Sequence, residues 1–149
     1  MQTTAVVFEQ PEHIGLQSLN VADPGAGDVI VEAIWSGISA GTEKLLFEGR
    51  MPPFPGMGYP LVPGYETVGR VISAGRDCSS ELEGQLVFVP GARGYQDAAA
   101  LFGASASRLV AAADRVIPID DGLDRNGTLL SLAATAYHAL TLPGMAPPD

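Results

Sequence analysis

Cysteine and histidine are scarce in this 149-residue chain, which contains one cysteine, Cys78, and two histidines, His13 and His138. A single cysteine excludes a disulfide framework within the chain and a paired-cysteine redox motif. Catalytic zinc needs three protein ligands, so a zinc site here would depend mainly on carboxylates, which are a poor donor set for that metal. We therefore read His138 and Cys78 as a packed or surface residue and a loop residue, respectively.

Basic residues and long apolar runs are also lacking. Eight Lys and Arg stand against 17 Asp and Glu, giving a formal net charge of -9. That sign opposes binding to nucleic-acid phosphates or anionic lipids. The chain has neither a basic leader before an apolar run nor the roughly 18 apolar residues of a membrane span. We expect a cytoplasmic protein without nucleic-acid partners or membrane spans.

The chain is rich in glycine and proline, which number 18 and 12 residues, respectively. This composition favours short elements joined by tight turns over long helices. Short runs rich in Val and Ile predict a mainly β fold, a barrel or sandwich with antiparallel pairing. The predicted strands are 3–8, 15–21, 29–35, 68–74, 85–89, 107–112 and 115–119.

Two helices are predicted. Thr42 can cap a short helix over 43–48 that ends at Gly49, which supplies a left-handed position. The second helix covers about 128–142 and is stopped by Pro143-Gly144. Its apolar residues recur at three- and four-residue steps: Leu129, Leu132, Ala133, Ala136, Tyr137 and Leu140.

Segment 51–64 is too dense in proline and glycine for a strand or helix, so it is predicted to be a loop. It carries four large apolar or aromatic side chains, which water disfavours: Met51, Phe54, Met57 and Tyr59. These side chains either pack the loop onto its own domain or form a lid over a substrate.

Four segments in order resemble the medium-chain dehydrogenase/reductase family: 36–43, 63–71, 113–119 and 134–140. The resemblance implies a GroES-like catalytic barrel over 1–126. The helix and linker of 127–149 would then lead into a Rossmann domain that binds NAD. No glycine-rich nucleotide fingerprint occurs in the 149 residues, since Gly56-Met57-Gly58 is followed by Tyr59-Pro60-Leu61. We expect these residues alone to fold as a monomer without tight NAD binding or turnover, and the full-length protein to form a homodimer.

The same resemblance implies that this member works without zinc. At the positions of the family's zinc ligands the chain has Ala40 (next to Ser39), Tyr65 and Ser131, which do not form a competent set. The four-cysteine structural lobe is missing too, since 90–103 contains no cysteine.

Without zinc, hydrogen-bonding side chains must stabilise the substrate oxygen as hydride leaves. The resemblance leaves Thr42, Tyr65 and Glu66 at the matching positions. Tyr65 would donate or relay a proton, since a phenol has an ordinary pKa of about 10, unless a cation such as Lys44 lowers it. The alternative is structural: Glu66 would tie the barrel to an arginine, and Tyr65 would fill the space of the metal.

Segments 37–44 and 51–66 resemble, more narrowly, family members of bacteriochlorophyll synthesis. This implies NAD-dependent oxidation of the 3-(1-hydroxyethyl) group of a (bacterio)chlorophyllide to 3-acetyl. Thioether and aromatic side chains suit a flat macrocycle, so Met51, Phe54, Met57 and Tyr59 are candidate substrate contacts. Lys44 or Arg50 could pair with the pigment's propionate.

Two other functions remain open. A zinc-free quinone or enoyl reductase of the same family would transfer hydride to a conjugated double bond, and Tyr65-Glu66 does not separate it from an alcohol dehydrogenase. A GroES-like module used for binding or assembly would carry out no chemistry.

Overall fold

The computed structural model of the chain describes residues 1–142, and these form a mainly β structure, as predicted. The strands are β1 (Gln2–Gln10), β2 (His13–Asn20), β3 (Asp28–Ser36), β4 (Leu61–Val62), β5 (Thr67–Ala74), β6 (Leu86–Val89), β7 (Ala99–Ala100), β8 (Arg108–Ala112) and β9 (Ile117–Pro118). The α-helices are α1 (Thr42–Phe47) and α2 (Leu130–Thr141), and 3-10 segments lie at Ser80–Leu82 and Asp121–Leu129. Within residues 1–142, neither helix has the length and apolarity to cross a membrane.

The strands form two sheets that share one core. Their orders are β2-β1-β4-β7 and β8-β3-β5-β6-β9. Pairing is antiparallel except between β4 and β7, which run parallel. Both sheets contribute buried side chains to the same cluster, among them Val7, Leu19, Val31, Val71 and Leu109. Burial of such branched side chains is the main force that holds the two sheets together.

The strand prediction missed β4 and β7 and made β9 too long. Segment 51–64 is not loop throughout, because Leu61 and Val62 are fully buried and form β4 between Phe8 of β1 and β7. Two residues between prolines 60 and 63 suffice for a short pairing, since each keeps its own amide. The strand predicted at 115–119 shrinks to Ile117–Pro118, which pairs with Phe88 and Val87.

Helix α1 begins differently from the prediction. Gly41, not Thr42, is the residue at the N-cap, and no side chain caps the helix. The amide of Glu43 already bonds to the carbonyl of Ser39 at 2.9 Å, so the helical turn starts before Thr42. The Thr42 side chain is therefore not used as a cap and can take part in other contacts.

The end of α1 at Gly49 is confirmed. Gly49 has a φ of +66°, and its amide bonds to the carbonyl of Leu46 at 3.2 Å. The amide of Arg50 bonds to the carbonyl of Leu45 at 2.9 Å. These two bonds form the Schellman arrangement, in which a glycine satisfies the last helical carbonyls.

Helix α2 covers most of the predicted 128–142, but a 3-10 segment takes its first turn. The predicted stop at Pro143-Gly144 lies outside the described residues. The predicted apolar stripe does not meet a partner within residues 1–142, since Leu132, Tyr137 and Leu140 are all exposed. The proposed domain division between 126 and 127 remains a prediction.

The pairing of β3 with β5 brings two distant segments together. The last residue of β3, Ser36, lies opposite the first residue of β5, Thr67. The Thr67 hydroxyl donates to the carbonyl of Ala104 at 2.7 Å and lies 3.0 Å from Ser36 Oγ. Just beyond this pair, the amide of Gly37 donates to the carbonyl of Glu66 at 2.8 Å. The segment after β3 and the segment before β5 therefore meet at one end of the sheet.

Candidate functional site

Three hydroxyl groups converge where these two segments meet. The Tyr65 hydroxyl donates to Ser39 Oγ at 2.6 Å and lies 3.4 Å from Thr42 Oγ1. Ser39 and Thr42 come from the segment after β3 and from the start of α1, whereas Tyr65 precedes β5. We call Ser39, Thr42 and Tyr65 the hydroxyl cluster. Each hydroxyl can donate a hydrogen bond to a bound oxygen or accept one from it, and together the three can relay a proton.

The ring and the backbone of Tyr65 also contact other parts of the domain. Its ring packs against Phe102 with centroids 4.9 Å apart and a tilt of 60°. Phe102 has a φ of +71°, a left-handed conformation that is uncommon for a bulky residue. Ser131 Oγ, at the start of α2, lies 3.3 Å from the carbonyl of Tyr65. Ser131 and Tyr65, two of the positions that the resemblance assigns to zinc ligands, are thus in contact through the backbone carbonyl of Tyr65.

Two buried carboxyls lie next to the hydroxyl cluster in sequence. Glu66 follows Tyr65 and Glu43 follows Thr42, with 5% and 7% of their surfaces exposed. Burial raises the pKa of both groups, that of Glu43 to about 7. For Glu43 a backbone hydrogen bond from Ser39 opposes this rise, and the charge of Glu66 adds to it.

The 51–64 loop packs mainly onto its own domain. Met51, Met57 and Tyr59 lie against a cluster built around Phe8 and Leu46. The Tyr59 hydroxyl donates to the carbonyl of Leu46, and burial raises the pKa of this phenol. Phe54 differs from the other three, since 58% of its surface is exposed.

The two candidate cations for a pigment carboxylate are engaged on the surface. Lys44 Nζ lies 2.5 Å from Glu48 Oε1, and Arg50 lies 3.2 Å from the other oxygen of the same carboxylate. The hydrogen bond from Lys44 is the largest cause of the lowered pKa of Glu48. Both cations are exposed, so each could exchange this partner for another anion at small cost.

Sequence reasoning missed Glu43 and Phe102 as parts of this site and named Ser39 only as a neighbour of Ala40. Glu43 did leave a signal, because it lies three and four residues before Leu46 and Phe47, on the side of α1 that packs inward. Phe102 left none, since its position depends on a left-handed backbone in a loop. Within residues 1–142, no group of three or more His, Cys, Asp and Glu side chains is arranged to hold a metal ion.

Residues 25–121 match the family described as the alcohol dehydrogenase GroES-like domain. The chain therefore belongs to this family, the N-terminal domain of medium-chain dehydrogenases/reductases, and the predicted fold class is confirmed.

Two curated relatives are both named 2-desacetyl-2-hydroxyethyl bacteriochlorophyllide A dehydrogenase. The protein of Cereibacter sphaeroides is 51% identical over 145 residues, which cover 94% of this chain and 45% of the relative. That of Rhodobacter capsulatus is 48% identical over 150 aligned positions, covering 100% of this chain and 48% of the relative. The chain thus spans about half the length of these relatives.

Solved structures agree on the fold. An alcohol dehydrogenase from Escherichia coli CFT073, complexed with NADH, superposes with a TM-score of 0.77. It is 18% identical, and the match covers 93% of this chain and 45% of that one. At this level of identity the similarity concerns the fold alone.

Proposed function

We propose that this chain is the substrate-side domain of a nicotinamide-dependent dehydrogenase that oxidises the 3-(1-hydroxyethyl) group of a (bacterio)chlorophyllide to 3-acetyl, without catalytic zinc. The observation that carries the proposal is the hydroxyl cluster, where the Tyr65 hydroxyl donates to Ser39 at 2.6 Å. The family resemblance assigns Tyr65 to a zinc-ligand position, and a phenol there can hydrogen-bond a substrate oxygen in place of a metal. The names of the two bacterial relatives support the substrate.

Oxidation of this alcohol removes a hydride from carbon and a proton from oxygen. A nicotinamide cofactor, when bound, accepts the hydride. Residues 1–142 do not fit a dinucleotide site, because they contain no strand–helix–strand unit within one parallel sheet. We assign cofactor binding to the rest of a longer protein, with NAD as the proposed form. The task of this chain is then to hold the substrate and to accept its proton.

The hydroxyl cluster can handle that proton without a metal. Tyr65 and Thr42 would hydrogen-bond the substrate oxygen and stabilise the negative charge that grows on it as the C–H bond breaks. Glu66 is the proposed acceptor, since its buried Oε1 has no hydrogen-bond partner in the described structure. A proton leaving the substrate would thus end on a carboxylate of this chain.

The substrate would lie over the 51–64 loop. Exposed Phe54 offers an aromatic face to a flat ring, while Met51, Met57 and Tyr59 hold the loop in place and contribute adaptable surface. Lys44 and Arg50 would exchange Glu48 for the propionate. We further propose a cytoplasmic location and a homodimer of the longer protein, with this domain alone monomeric.

The absence of catalytic zinc can be tested on the full-length protein. We expect much less than one zinc per chain by elemental analysis, and unchanged NAD-linked oxidation of 3-(1-hydroxyethyl) bacteriochlorophyllide after treatment with a chelator. The reason is that the family zinc-ligand positions carry Ala40, Tyr65 and Ser131. Stoichiometric zinc, together with activity that disappears on chelation and returns with zinc, would refute the metal-free mechanism.

Replacing Tyr65 by phenylalanine in the full-length protein removes one hydroxyl and keeps the ring against Phe102. We expect kcat/KM for the hydroxyethyl pigment to fall roughly 100- to 10,000-fold, the usual contribution of a positioned proton donor or acceptor. Tyr137→Phe is the matched control, since that ring is 70% exposed on α2, and it should retain activity. Equal activity of the Tyr65→Phe variant and the wild type would exclude a catalytic phenol.

A further inference from the structure

Glu43 and Glu66 are buried carboxyls on the two segments that meet at the hydroxyl cluster, since the amide of Gly37 bonds to the carbonyl of Glu66 and the amide of Glu43 bonds to that of Ser39. Each is more than nine-tenths buried, and each directly follows a cluster residue, Thr42 or Tyr65. Ionised carboxylates are seldom buried without a partner, because the loss of hydration strongly disfavours the charged form. The pair therefore requires a physical explanation.

Neither carboxyl is neutralised by a cation among residues 1–142. The ion pairs of the described residues do not include Glu43 or Glu66. Glu66 Oε1 lacks any hydrogen-bond partner there. Its other oxygen lies against the α-carbon of Gly37, where an added Cβ would come within 2.4 Å. The Glu66 carboxyl is thus enclosed on a side that offers it no donor.

Charged and titratable side chains on the surrounding elements are engaged elsewhere or exposed. Tyr65 bonds to Ser39, and Glu12 and Arg125 are exposed. The others pair as follows: Lys44 and Arg50 with Glu48, Glu9 with Gln17, His13 with Gln10, Glu32 with Arg108, Arg70 with Asp121, Glu83 with the amide of Ala74, and Asp124 with Trp35. Burial is the largest cause of the raised pKa of Glu43, and the charge that adds to it is that of Glu66.

We propose that Glu43 and Glu66 share one proton at neutral pH, and that Glu43 is the positioning residue that carries it. When one of two neighbouring buried carboxyls ionises, its charge raises the pKa of the other, so one keeps its proton at a pH where the other is already the anion. Glu66, the next residue after Tyr65, then remains available as the proposed acceptor. This role of Glu43 rests on the proposed function, whereas the shared proton does not.

The shared proton can be tested on this chain without activity. The side-chain carboxyl carbons of its glutamates are labelled with carbon-13, and their chemical shifts are followed against pH by NMR. We expect one glutamate to titrate near pH 7, its signal to be absent in Glu43→Gln, and its midpoint to fall measurably in Glu66→Gln, by less than the whole shift because burial is the larger cause. Glu48→Gln is the control on the same helix and should leave that titration unchanged.

Two outcomes would refute the proposal that Glu43 and Glu66 share a proton. One is a wild-type spectrum in which every glutamate titrates at ordinary acidic pH, a result that needs no variant to fold. The other is a midpoint near 7 that is unchanged in Glu66→Gln, which would mean burial of Glu43 alone.

The positioning role is tested in the full-length protein by the pH profile of kcat/KM. We expect an inflection near pH 7 in the wild type, its loss in Glu43→Gln and its retention in Glu48→Gln. A profile unchanged by Glu43→Gln would refute the role even if the carboxyls share a proton. A full-length protein that does not oxidise the hydroxyethyl pigment would refute the proposed function and the positioning role. The NMR titration would still decide whether Glu43 and Glu66 share a proton.

Discussion

Replacing Gly64 by alanine should lower the free energy of unfolding by about 4 kcal/mol or prevent folding, an effect at the upper end for a single substitution. Gly64 has a φ of +99°, and a Cβ there would lie 2.1 Å from Ser105 Oγ and 2.7 Å from the amide nitrogen of Ser105. The new methyl group would collide with backbone that cannot withdraw. Urea unfolding of the chain, followed by circular dichroism, measures the loss.

Gly84→Ala is the matched control for Gly64→Ala. Gly84 also has a positive φ, +81°, but nothing lies within 4 Å of an added Cβ. The Gly84→Ala substitution should lower the free energy of unfolding only by the backbone strain, roughly 1–2 kcal/mol. Adding Ser105→Gly to the Gly64 variant should recover part of its stability, because the clash with the side chain disappears and the clash with the amide remains. Equal losses in the Gly64 and Gly84 variants would contradict the steric explanation.

Replacing Glu43 by glutamine should change how stability depends on pH. The folded state keeps a proton on Glu43 up to about pH 7, whereas an unfolded glutamate releases it near its ordinary value of 4.5. This protonation therefore stabilises the fold fully below pH 4.5, and the contribution is lost as pH rises through 7. The difference between the folded and unfolded pKa values of Glu43 corresponds to about 3 kcal/mol of folding free energy. Relative to Glu43→Gln, the wild type should lose about that much stability between pH 4 and pH 8.

Urea titrations of both proteins at several pH values measure this difference. Glu48→Gln provides a control of opposite sign, because its partners lower the pKa of Glu48. The contribution of Glu48 is present above its ordinary pKa and is lost in acid. Parallel pH curves for the wild type and Glu43→Gln would show that Glu43 is not a proton-bearing buried acid.

Much of the barrel could be predicted because its strands follow simple local rules. The runs at 29–35 and 68–74 are rich in Val and Ile, and both were found within one residue at each end. Strand β4 was missed, because two residues between prolines carry no periodic signal and pair only in the tertiary context of Phe8. The exposure of α2 could not be predicted either. An apolar stripe shows which side of a helix is suited to packing, but it does not show whether another element packs against that side.

The candidate site was predictable only as far as the family resemblance extends. It pointed to Thr42, Tyr65 and Glu66, and the structure places the first two 3.4 Å apart. The spacing of Glu43 to Leu46 and Phe47 indicated that the three share one side of α1, but in a six-residue helix the spacing does not show that this side is buried. The substrate and catalytic roles of these residues remain proposals.

The opposition of Ser36 and Thr67 also bears on how the protein folds. These residues are 31 positions apart, so the hydroxyl cluster exists only after that stretch of chain has been closed by long-range pairing. A partly folded state with α1 formed and β3 separated from β5 would leave both glutamates in water, where they titrate as ordinary acids. A glutamate signal that titrates near pH 7 would therefore report completed folding, and its appearance after a pH or urea jump would time the closure of the barrel.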